Sequence, residues 1–240
     1  MADAIFEDPR LARIYDPLDP DRRDLDAYAA MAAEFGARSL LDVGCGTGTF
    51  ACMLAGRGVA VTGIDPAAAS LEVARAKPGA GAVRWLHGDA TSLPSMQVDL
   101  ATMTGNVAQV FITDDEWDAT LQGVSAALRP GGRLVFETRD PAQRAWLDWT
   151  RDKSFTSTDI QGVGVVQSWH ELTEVSGELV TFRSFALFEA DGTVITSDST
   201  LRFRERDEVA ASLKATGFRL DEVRSAPDRP GREFVFLASR

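Results

Sequence analysis

The sequence feature that most constrains the fold is a glycine-rich turn that directly follows a short apolar run. Residues 40–50 read LLDVGCGTGTF, with Gly44, Gly46 and Gly48 at every second position. The apolar run is typical of a buried parallel strand, and the next segment, TFACMLAGRG, is typical of a helix. Glycines allow a ligand to lie against the main chain, and the start of a helix offers free N–H groups. The segment therefore predicts a strand, a ligand-binding turn and a helix.

Strand and helix patterns alternate through the first 138 residues. Four more apolar runs predict strands, and they read VAVTGID, VRWLHGD, VDLATMTG and RLVFET. Helical periodicity lies before the first strand and between most of the others, and Thr113 with Glu116 makes a capping box for one helix. The alternation predicts an α/β fold with a Rossmann-like, doubly wound, mostly parallel sheet. Such sheets bind ligands at the carboxyl ends of their strands.

The alternation stops at residue 139. Three runs of β-type residues follow, separated by Ser176-Gly177 and Asp191-Gly192, which both suit hairpin turns. They predict an inserted three-stranded antiparallel sheet, after which a helix and a C-terminal antiparallel hairpin complete the chain. We therefore expect three parts. Residues 1–138 form an N-terminal lid and the ligand-binding core, residues 139–203 the inserted substrate-pocket subdomain, and residues 204–240 the final helix and hairpin.

Composition limits the classes of partner. The formal net charge is −11, which would repel phosphate backbones and anionic lipid, so we expect a small-molecule partner, not nucleic acid or a membrane. Cys45 and Cys52 are the only cysteines and make no disulfide framework, which is typical of the cytoplasm. The chain starts without a signal-peptide pattern and contains no apolar run long enough to span a membrane. These features predict a cytoplasmic protein.

Two acids flank the predicted turn and indicate what it binds. Asp65 ends the second predicted strand, where a carboxylate can accept both hydroxyls of a ribose. Asp42 lies just before the turn, where it would repel a pyrophosphate and suit a positively charged group. The G-x-G-x-G spacing also differs from the G-x-G-x-x-G of dinucleotide dehydrogenases. The turn therefore favours a zwitterionic or cationic nucleoside, with a nicotinamide dehydrogenase as the competing interpretation.

The ordered segments LLDVGCGTGTF, VTGIDPAAASLEVAR, LHGDATSLP and LRPGGRLVFE resemble the class I S-adenosylmethionine-dependent methyltransferases. The resemblance covers residues from about 10 to 140 and the terminal hairpin. It implies that the cofactor is S-adenosylmethionine, whose methionine and ribose would lie along Gly44, Gly46 and Gly48. It also implies that Asp42 orients the methionine amino group and that Asp65 binds the ribose hydroxyls.

The resemblance implies further cofactor contacts along the same edge. The Asp89 carboxylate would accept a hydrogen bond from the adenine amino group, and the Ala90 amide would donate one to the ring. Backbone carbonyls of residues 104–106 would approach the cofactor's amino group, and these residues are Thr104, Gly105 and Asn106. Tyr15 resembles a residue of the N-terminal lid that covers the methionine end in relatives that act on small molecules.

The segment after the fourth strand, TGNV, narrows the methyl acceptor. It carries neither the Pro-Pro-aromatic motif of DNA amino-methyltransferases nor a Pro-Cys nucleophile, and it offers no carboxylate to a metal ion. We therefore expect no metal, and methyl transfer to N or O of a small organic molecule. His170 and Arg139 are the candidate catalytic residues. With two-residue hairpin turns, Trp169 would share a sheet face with Ser184, and His170 would lie on the opposite face.

Several structural alternatives remain open at this level. Asp65 can cap the helix that begins near Pro66, and Asp89 can be an ordinary turn residue. Tyr15 can simply pack the N-terminal segment, and His170 can lie on a solvated sheet surface. A non-catalytic module that binds S-adenosylmethionine or its demethylated product would need the same glycine turn and acids.

Overall fold

In a computed structural model that describes residues 2–240, α-helices and strands alternate through the first half of the chain. The helices are α1 Ala4–Glu7, α2 Pro9–Leu18, α3 Asp24–Glu34, α4 Thr49–Gly56, α5 Ala68–Ala76, α6 Asp114–Ala127, α7 Arg151–Ser154 and α8 Arg206–Ala215. The strands are β1 Ser39–Val43, β2 Ala60–Asp65, β3 Val83–His87, β4 Val98–Met103, β5 Leu128–Arg139, β6 Thr156–Ile160, β7 Gly164–Ser176, β8 Leu179–Phe188, β9 Thr193–Arg202, β10 Arg219–Ser225 and β11 Glu233–Ser239. Across residues 2–240 no helix has the length and apolar composition needed to cross a membrane.

Seven strands form the main sheet, in the order β10-β11-β5-β4-β1-β2-β3. Strands β1 to β5 pair in parallel, and β11 and β10 add an antiparallel hairpin at one edge. The predicted α/β class, with a mostly parallel sheet and a C-terminal hairpin, is confirmed. The carboxyl ends of β1, β2 and β4 meet at one edge, which is where the glycine turn lies.

Helices cover both faces of this sheet with apolar side chains. On one face α6 and α8 bury Trp117 and Leu213 against the sheet, and on the other α3 and α4 bury Leu25 and Phe50. Each large side chain buried in this way stabilises the fold by about 1.5–3 kcal/mol. The capping box predicted at Thr113 is present at the start of α6. The main sheet therefore provides a rigid base for the residues at its carboxyl edge.

The inserted sheet is antiparallel as expected, and it has four strands where three were predicted. Its order is β6-β7-β8-β9. The additional strand, β6, reads TSTDI and is mostly exposed. Because β6 is a short, polar edge strand, it lacks the apolar alternation by which strands are recognised in a sequence. Its hydrogen bonds to β7 place it in the sheet.

A bulge in β7 places the first part of this strand on the opposite sheet faces from those predicted. The turn pairs Ser176 with Leu179 as expected, but the register shifts between Leu172 and Glu174. The extra residue turns the first part of β7 over. His170 therefore lies opposite Ser184 and shares its face, whereas Trp169 lies opposite Phe185 on the other face. The prediction that Trp169 and Ser184 share a face was wrong for this reason.

The N-terminal helices α1 and α2 lie between the main domain and the inserted sheet. Ser70 of α5 donates a hydrogen bond to the Phe6 carbonyl at 2.8 Å, which ties α1 to the core. On the other side, the Ile5 amide donates to Ser197 of β9 at 2.9 Å. Leu11 and Ile14 of α2 belong to an apolar cluster with side chains of the inserted sheet. We call α1 and α2 together the lid, because they cover the carboxyl edge of the main sheet.

Candidate functional site

The turn after β1 has a backbone conformation that its glycines allow. Gly44, Gly46 and Gly48 have φ angles of 69°, 52° and 78°, a region that other residues rarely occupy. A Cβ atom at Gly48 would lie 2.4 Å from the Trp85 ring, and one at Gly44 would lie 2.6 Å from Val107. At Gly46 a Cβ atom would meet nothing within 4 Å. Packing therefore requires two of the glycines, and the backbone of the third borders space that a ligand can fill.

Asp65, at the end of β2, holds the glycine turn against the start of α5. Its Oδ2 accepts a hydrogen bond from the Gly46 amide at 2.7 Å, and its Oδ1 accepts one from the Ala67 amide at 2.8 Å. Burial raises the pKa of this carboxyl group. The contact with Ala67 belongs to the turn before α5, and the helix itself, which begins at Ala68, has no side-chain cap. Each carboxylate oxygen keeps a second lone pair that can accept a hydroxyl of a bound ligand.

Asp42, at the end of β1, is only 2% exposed. Its Oδ1 accepts a hydrogen bond from the Thr102 hydroxyl at 3.0 Å. Burial raises its pKa to about 7, and the carboxylate of Asp65 adds to the effect. No cationic side chain among residues 2–240 forms an ion pair with it. A buried acid without a counter-charge fits a ligand that brings a positive group.

Asp89 and Ala90 follow β3 at the same edge. The Asp89 Oδ1 accepts hydrogen bonds from the amide and the hydroxyl of Thr91, at 2.9 and 2.5 Å. The side chain is exposed, and its local bonds are those of a turn residue. Oδ2 remains available for a partner from outside the turn. Ala90 is buried, and its position is fixed by close packing of its carbonyl against Gly123 of α6.

The chain after β4 has an unusual backbone path. Both Gly105 and Asn106 have positive φ angles, of 76° and 62°. The Asn106 amide donates to Glu137 Oε1 at 2.6 Å, and its side-chain amide donates to Glu233 at 3.3 Å. The Asn106 Oδ1 atom is buried without a hydrogen-bond partner. Two buried acids thus hold Asn106 in a conformation that would otherwise cost about 1–2 kcal/mol, and Thr104, two residues before it, is half-buried.

The sequence interpretation missed these two acids. Glu137 lies on β5 and Glu233 on β11, and both are buried. Burial raises the pKa of Glu137 to about 7, while Glu233 forms an ion pair with Arg229 at 2.9 Å. The available signal was a carboxylate inside an apolar strand pattern, in RLVFET and in REFVFL. A buried acid at such a position usually has a specific partner.

Tyr15 and Arg139 approach the site from the lid and from β5. Burial raises the pKa of the Tyr15 hydroxyl, which the charge of Arg139 opposes. The Arg139 Nη1 atom donates a hydrogen bond to Gln109 Oε1 at 3.0 Å. Its guanidinium carbon lies 5.8 Å from the centre of the Trp149 ring. Arg139 therefore lies at the carboxyl edge of the main sheet, and Tyr15 lies in the lid that covers this edge.

His170 lies on the inner face of the inserted sheet. Its Nδ1 makes a hydrogen bond with the Ser184 hydroxyl at 2.9 Å, and its ring meets that of Phe182 edge-on at 5.9 Å. Phe182 in turn packs 4.6 Å from Trp149. Burial lowers the pKa of the imidazole, so it is neutral at pH 7. His170 and Arg139 thus stand at two ends of one aromatic wall, formed by Phe182 and Trp149.

The lid is fastened to the glycine turn by one polar cluster, which we call the latch. Asp16 of α2 accepts a hydrogen bond from the Thr47 hydroxyl at 2.7 Å and forms an ion pair with Lys77 at 2.5 Å. Lys77 also donates to the Thr47 carbonyl at 2.6 Å. The latch holds α2 over the turn that carries Gly46.

The donor and acceptor set matches the cofactor that the sequence resemblance implies. Asp42 at the end of β1 is buried without a counter-charge in residues 2–240, and Asp65 at the end of β2 has free lone pairs. The open backbone of Gly46 lies between them. A sulfonium nucleoside with an amino group and two ribose hydroxyls has the complementary groups. Within residues 2–240 no cluster of three His, Cys, Asp or Glu side chains is arranged to hold a metal ion.

Comparison with known proteins finds similarity to methyltransferases over part of the chain. Residues 40–132 match the family model described as a methyltransferase domain. Over 120 residues the chain is 31% identical to the cypemycin N-terminal methyltransferase of a Streptomyces species, an alignment that covers 50% of this chain and 49% of that one. The chain thus aligns with about half the length of this curated relative.

Two solved structures share the fold over nearly the whole chain. An S-adenosylmethionine-dependent methyltransferase from Clostridium acetobutylicum is 18% identical with a TM-score of 0.77, and the match covers 96% of this chain and 97% of that one. The amino pentose methyltransferase CalS10 of Micromonospora echinaspora, solved with S-adenosylmethionine bound, is 25% identical with a TM-score of 0.72 and coverages of 92% and 93%. Residues 40–132 are thus similar to a methyltransferase domain, and the chain as a whole has the fold of these S-adenosylmethionine-dependent methyltransferases.

Proposed function

We propose that this protein transfers the methyl group of S-adenosylmethionine to a nitrogen or oxygen atom of a small organic molecule. The observation that carries the proposal is the pair of buried acids, Asp42 and Asp65, on either side of open backbone at Gly46. The methyltransferase-domain match over residues 40–132 supports the same conclusion.

The cofactor contacts that we propose follow the strand ends. Asp42 would hold the amino group of the methionine part, and Asp65 the two ribose hydroxyls. The glycine turn, Gly44, Gly46 and Gly48, would lie along the chain between them. Asp89 and the Ala90 amide would bind the adenine, and the carbonyls of Thr104, Gly105 and Asn106 would face the amino group. Tyr15 would close the methionine end from the lid.

The chain's own residues then position the acceptor. The cofactor supplies a methyl group on a positively charged sulfur, which is already activated and leaves a neutral product. Alignment of the acceptor at about 3 Å therefore accounts for much of the acceleration. Arg139, Trp149 and Phe182 would orient the acceptor, and the lid would exclude water. A neutral amine needs no base before it attacks, whereas a hydroxyl does, and the neutral imidazole of His170 can accept that proton.

We favour an amine as the acceptor. The carboxyl groups of Asp42, Glu137 and Glu233 are buried at the carboxyl edge of the main sheet, and their charge would favour a group that becomes positively charged. CalS10, at 25% identity, acts on an amino pentose, which supports the same class. The net charge of −11 disfavours nucleic acid as a substrate. We also propose that residues 139–203 supply the acceptor pocket, and that the protein is cytoplasmic because its two cysteines are free thiols.

The test has a binding arm and a transfer arm. Calorimetry should detect binding of S-adenosylhomocysteine, and Asp65→Asn should weaken it by about 10-fold or more, since a charge-assisted hydrogen bond is lost. Asp159→Asn, a matched charge change on the exposed strand β6, should leave binding unaltered. Incubation of methyl-labelled S-adenosylmethionine with an amine-rich metabolite extract should yield labelled product.

Three outcomes would count against the proposal. Binding without any labelled product would favour a non-catalytic module. Stabilisation by NAD but not by S-adenosylmethionine would favour a dehydrogenase. A well-folded protein that binds neither S-adenosylmethionine nor NAD would contradict both the methyltransferase and the dehydrogenase interpretations.

A further inference from the structure

Arg139 is a cation at the carboxyl edge that forms no ion pair with an acid in residues 2–240. It ends β5, and its half-buried side chain is held by one side-chain acceptor, Gln109 Oε1, at 3.0 Å from Nη1. The same oxygen also accepts from the Arg139 backbone amide at 3.4 Å. Gln109 itself is only 1% exposed. The guanidinium is therefore fixed in place by a neutral group.

Two nearby carboxylates, those of Asp140 and Glu233, form hydrogen bonds or an ion pair with other groups. Asp140, the next residue, accepts a hydrogen bond from the Ala142 amide and caps the short turn that follows. Glu233, the cross-strand neighbour of Arg139, is paired with Arg229. Among residues 2–240 no acid forms an ion pair with Arg139, and Glu233 and Glu137 act on it only through space. Burial without a contacting acid lowers its pKa, which marks the charge as incompletely compensated.

An aromatic surface lies beside this cation. Trp149 is 5.8 Å from the guanidinium carbon, and it packs against Phe182 at 4.6 Å and Phe203 at 6.1 Å. Tyr15 of the lid is close enough for the charge of Arg139 to act on its hydroxyl. The cation thus stands where the lid, the main sheet and the inserted sheet meet.

We propose that Arg139 binds an anionic oxygen group of the methyl acceptor, a carboxylate or a phosphate, while the apolar part of the acceptor lies on the wall of Trp149 and Phe182. A guanidinium presents a planar fork of donors that matches such a group. A partly desolvated cation gains most from an anion that arrives with the ligand. The inference deepens the proposed function, on which it rests, because it assigns an anionic handle to the acceptor.

The test uses three probes of similar shape that differ in charge. They are 4-aminobenzoate, its neutral analogue 4-aminobenzamide, and phenyl phosphate. Each is titrated into the protein with and without S-adenosylhomocysteine, and binding is followed by ligand-observed NMR. We expect at least one anion to bind about 10-fold more tightly than the neutral analogue. The anion that binds more tightly shows whether the group that Arg139 recognises is a carboxylate or a phosphate.

Two variants assign the effect to Arg139. Arg139→Met should remove the preference for anions, and Gln109→Glu should weaken it, because the new carboxylate would compete for the guanidinium. The matched control is Arg151→Met, which removes an arginine that lies 4.5 Å over the Trp169 ring on the outer face of the inserted sheet. Thermal unfolding of each variant checks that it is folded.

Specific results would overturn the inference. One such result is that neither anion binds more tightly than 4-aminobenzamide. The other is that Arg139→Met and Arg151→Met reduce the affinity for the anions equally. A failure of the proposed function gives a different result, because S-adenosylhomocysteine then does not bind. The titration of the probes into the ligand-free protein still shows whether Arg139 binds an anion.

Discussion

Two fully buried carboxyl groups at the ligand-binding edge, those of Asp42 and Glu137, have pKa values raised to about 7 by burial. Their ordinary values are near 4. Between about pH 4 and 7 these two groups therefore bind more protons in the folded protein than in the unfolded chain. Their contribution to the free energy of unfolding falls as the pH rises through this window. The ligand-free protein thus carries a local instability at neutral pH that a cationic ligand would relieve.

Replacement of Asp42 by Asn tests this consequence. Each titrating group contributes at most about 1.4 kcal/mol per pH unit, so Asp42→Asn should make the decline of stability between pH 5 and 7 visibly shallower. Urea unfolding of the ligand-free protein at several pH values measures the slope. Asp159→Asn, on the exposed strand β6, should keep the wild-type slope. An unchanged slope in Asp42→Asn would show that this carboxyl group does not titrate in the window.

The residues of the site differed in how far the sequence revealed them. Asp42, Asp65 and the glycines could be predicted because strand, turn and helix are local patterns, and their spacing places them at one edge. The acids that shape the loop at Asn106 could not, because Glu137 pairs through tertiary contacts between strands far apart in sequence. A buried acid becomes interpretable only when its partners are known.

At the scale of elements, the latch joins the lid helix α2 to the glycine turn. Lys77 contacts both Asp16 and the Thr47 carbonyl, and we expect release of the cofactor to require that these contacts separate. Lys77→Met should therefore accelerate dissociation of S-adenosylhomocysteine by about 10-fold, as expected for the loss of about 1–1.5 kcal/mol from a partly buried charged contact.

Stopped-flow displacement measures this dissociation rate. The control is Asp26→Asn, which breaks an exposed ion pair of α3 with Arg57 and leaves the lid untouched. If both variants release the ligand at the wild-type rate, the latch does not limit exit.

The inserted sheet shows where element-level prediction fails. The hairpin turns and the antiparallel pairing follow from local sequence, but the bulge between Leu172 and Glu174 does not. Whether a bulge forms depends on how the whole strand packs. One extra residue moves every side chain on one side of the bulge to the opposite face of the sheet. The sequence therefore predicted the sheet and assigned Trp169 and His170 to the wrong faces. Strand β6 was missed because an exposed edge strand has no apolar period.

At the scale of the whole molecule, the lid touches both the glycine turn and the inner face of the inserted sheet. It binds the turn through polar contacts, and it binds the sheet through Ile14 and Leu11 in an apolar cluster. A ligand that orders the lid should therefore also order the inserted sheet, even where the ligand does not contact that sheet. This arrangement would couple cofactor binding to the shape of the acceptor pocket.

Hydrogen exchange of backbone amides can measure that coupling. Addition of S-adenosylhomocysteine should slow exchange in α2 and also in β8, whose residues Ala186 and Phe188 pack against the lid. Ile14→Ala should keep the protection near the glycine turn but remove most of it from β8, because truncation of a buried Ile costs about 2–5 kcal/mol locally. Leu121→Ala, an equally buried truncation in α6, should lower stability and leave the coupling intact. Protection of β8 that survives Ile14→Ala would mean that the sheet responds by a route other than the lid.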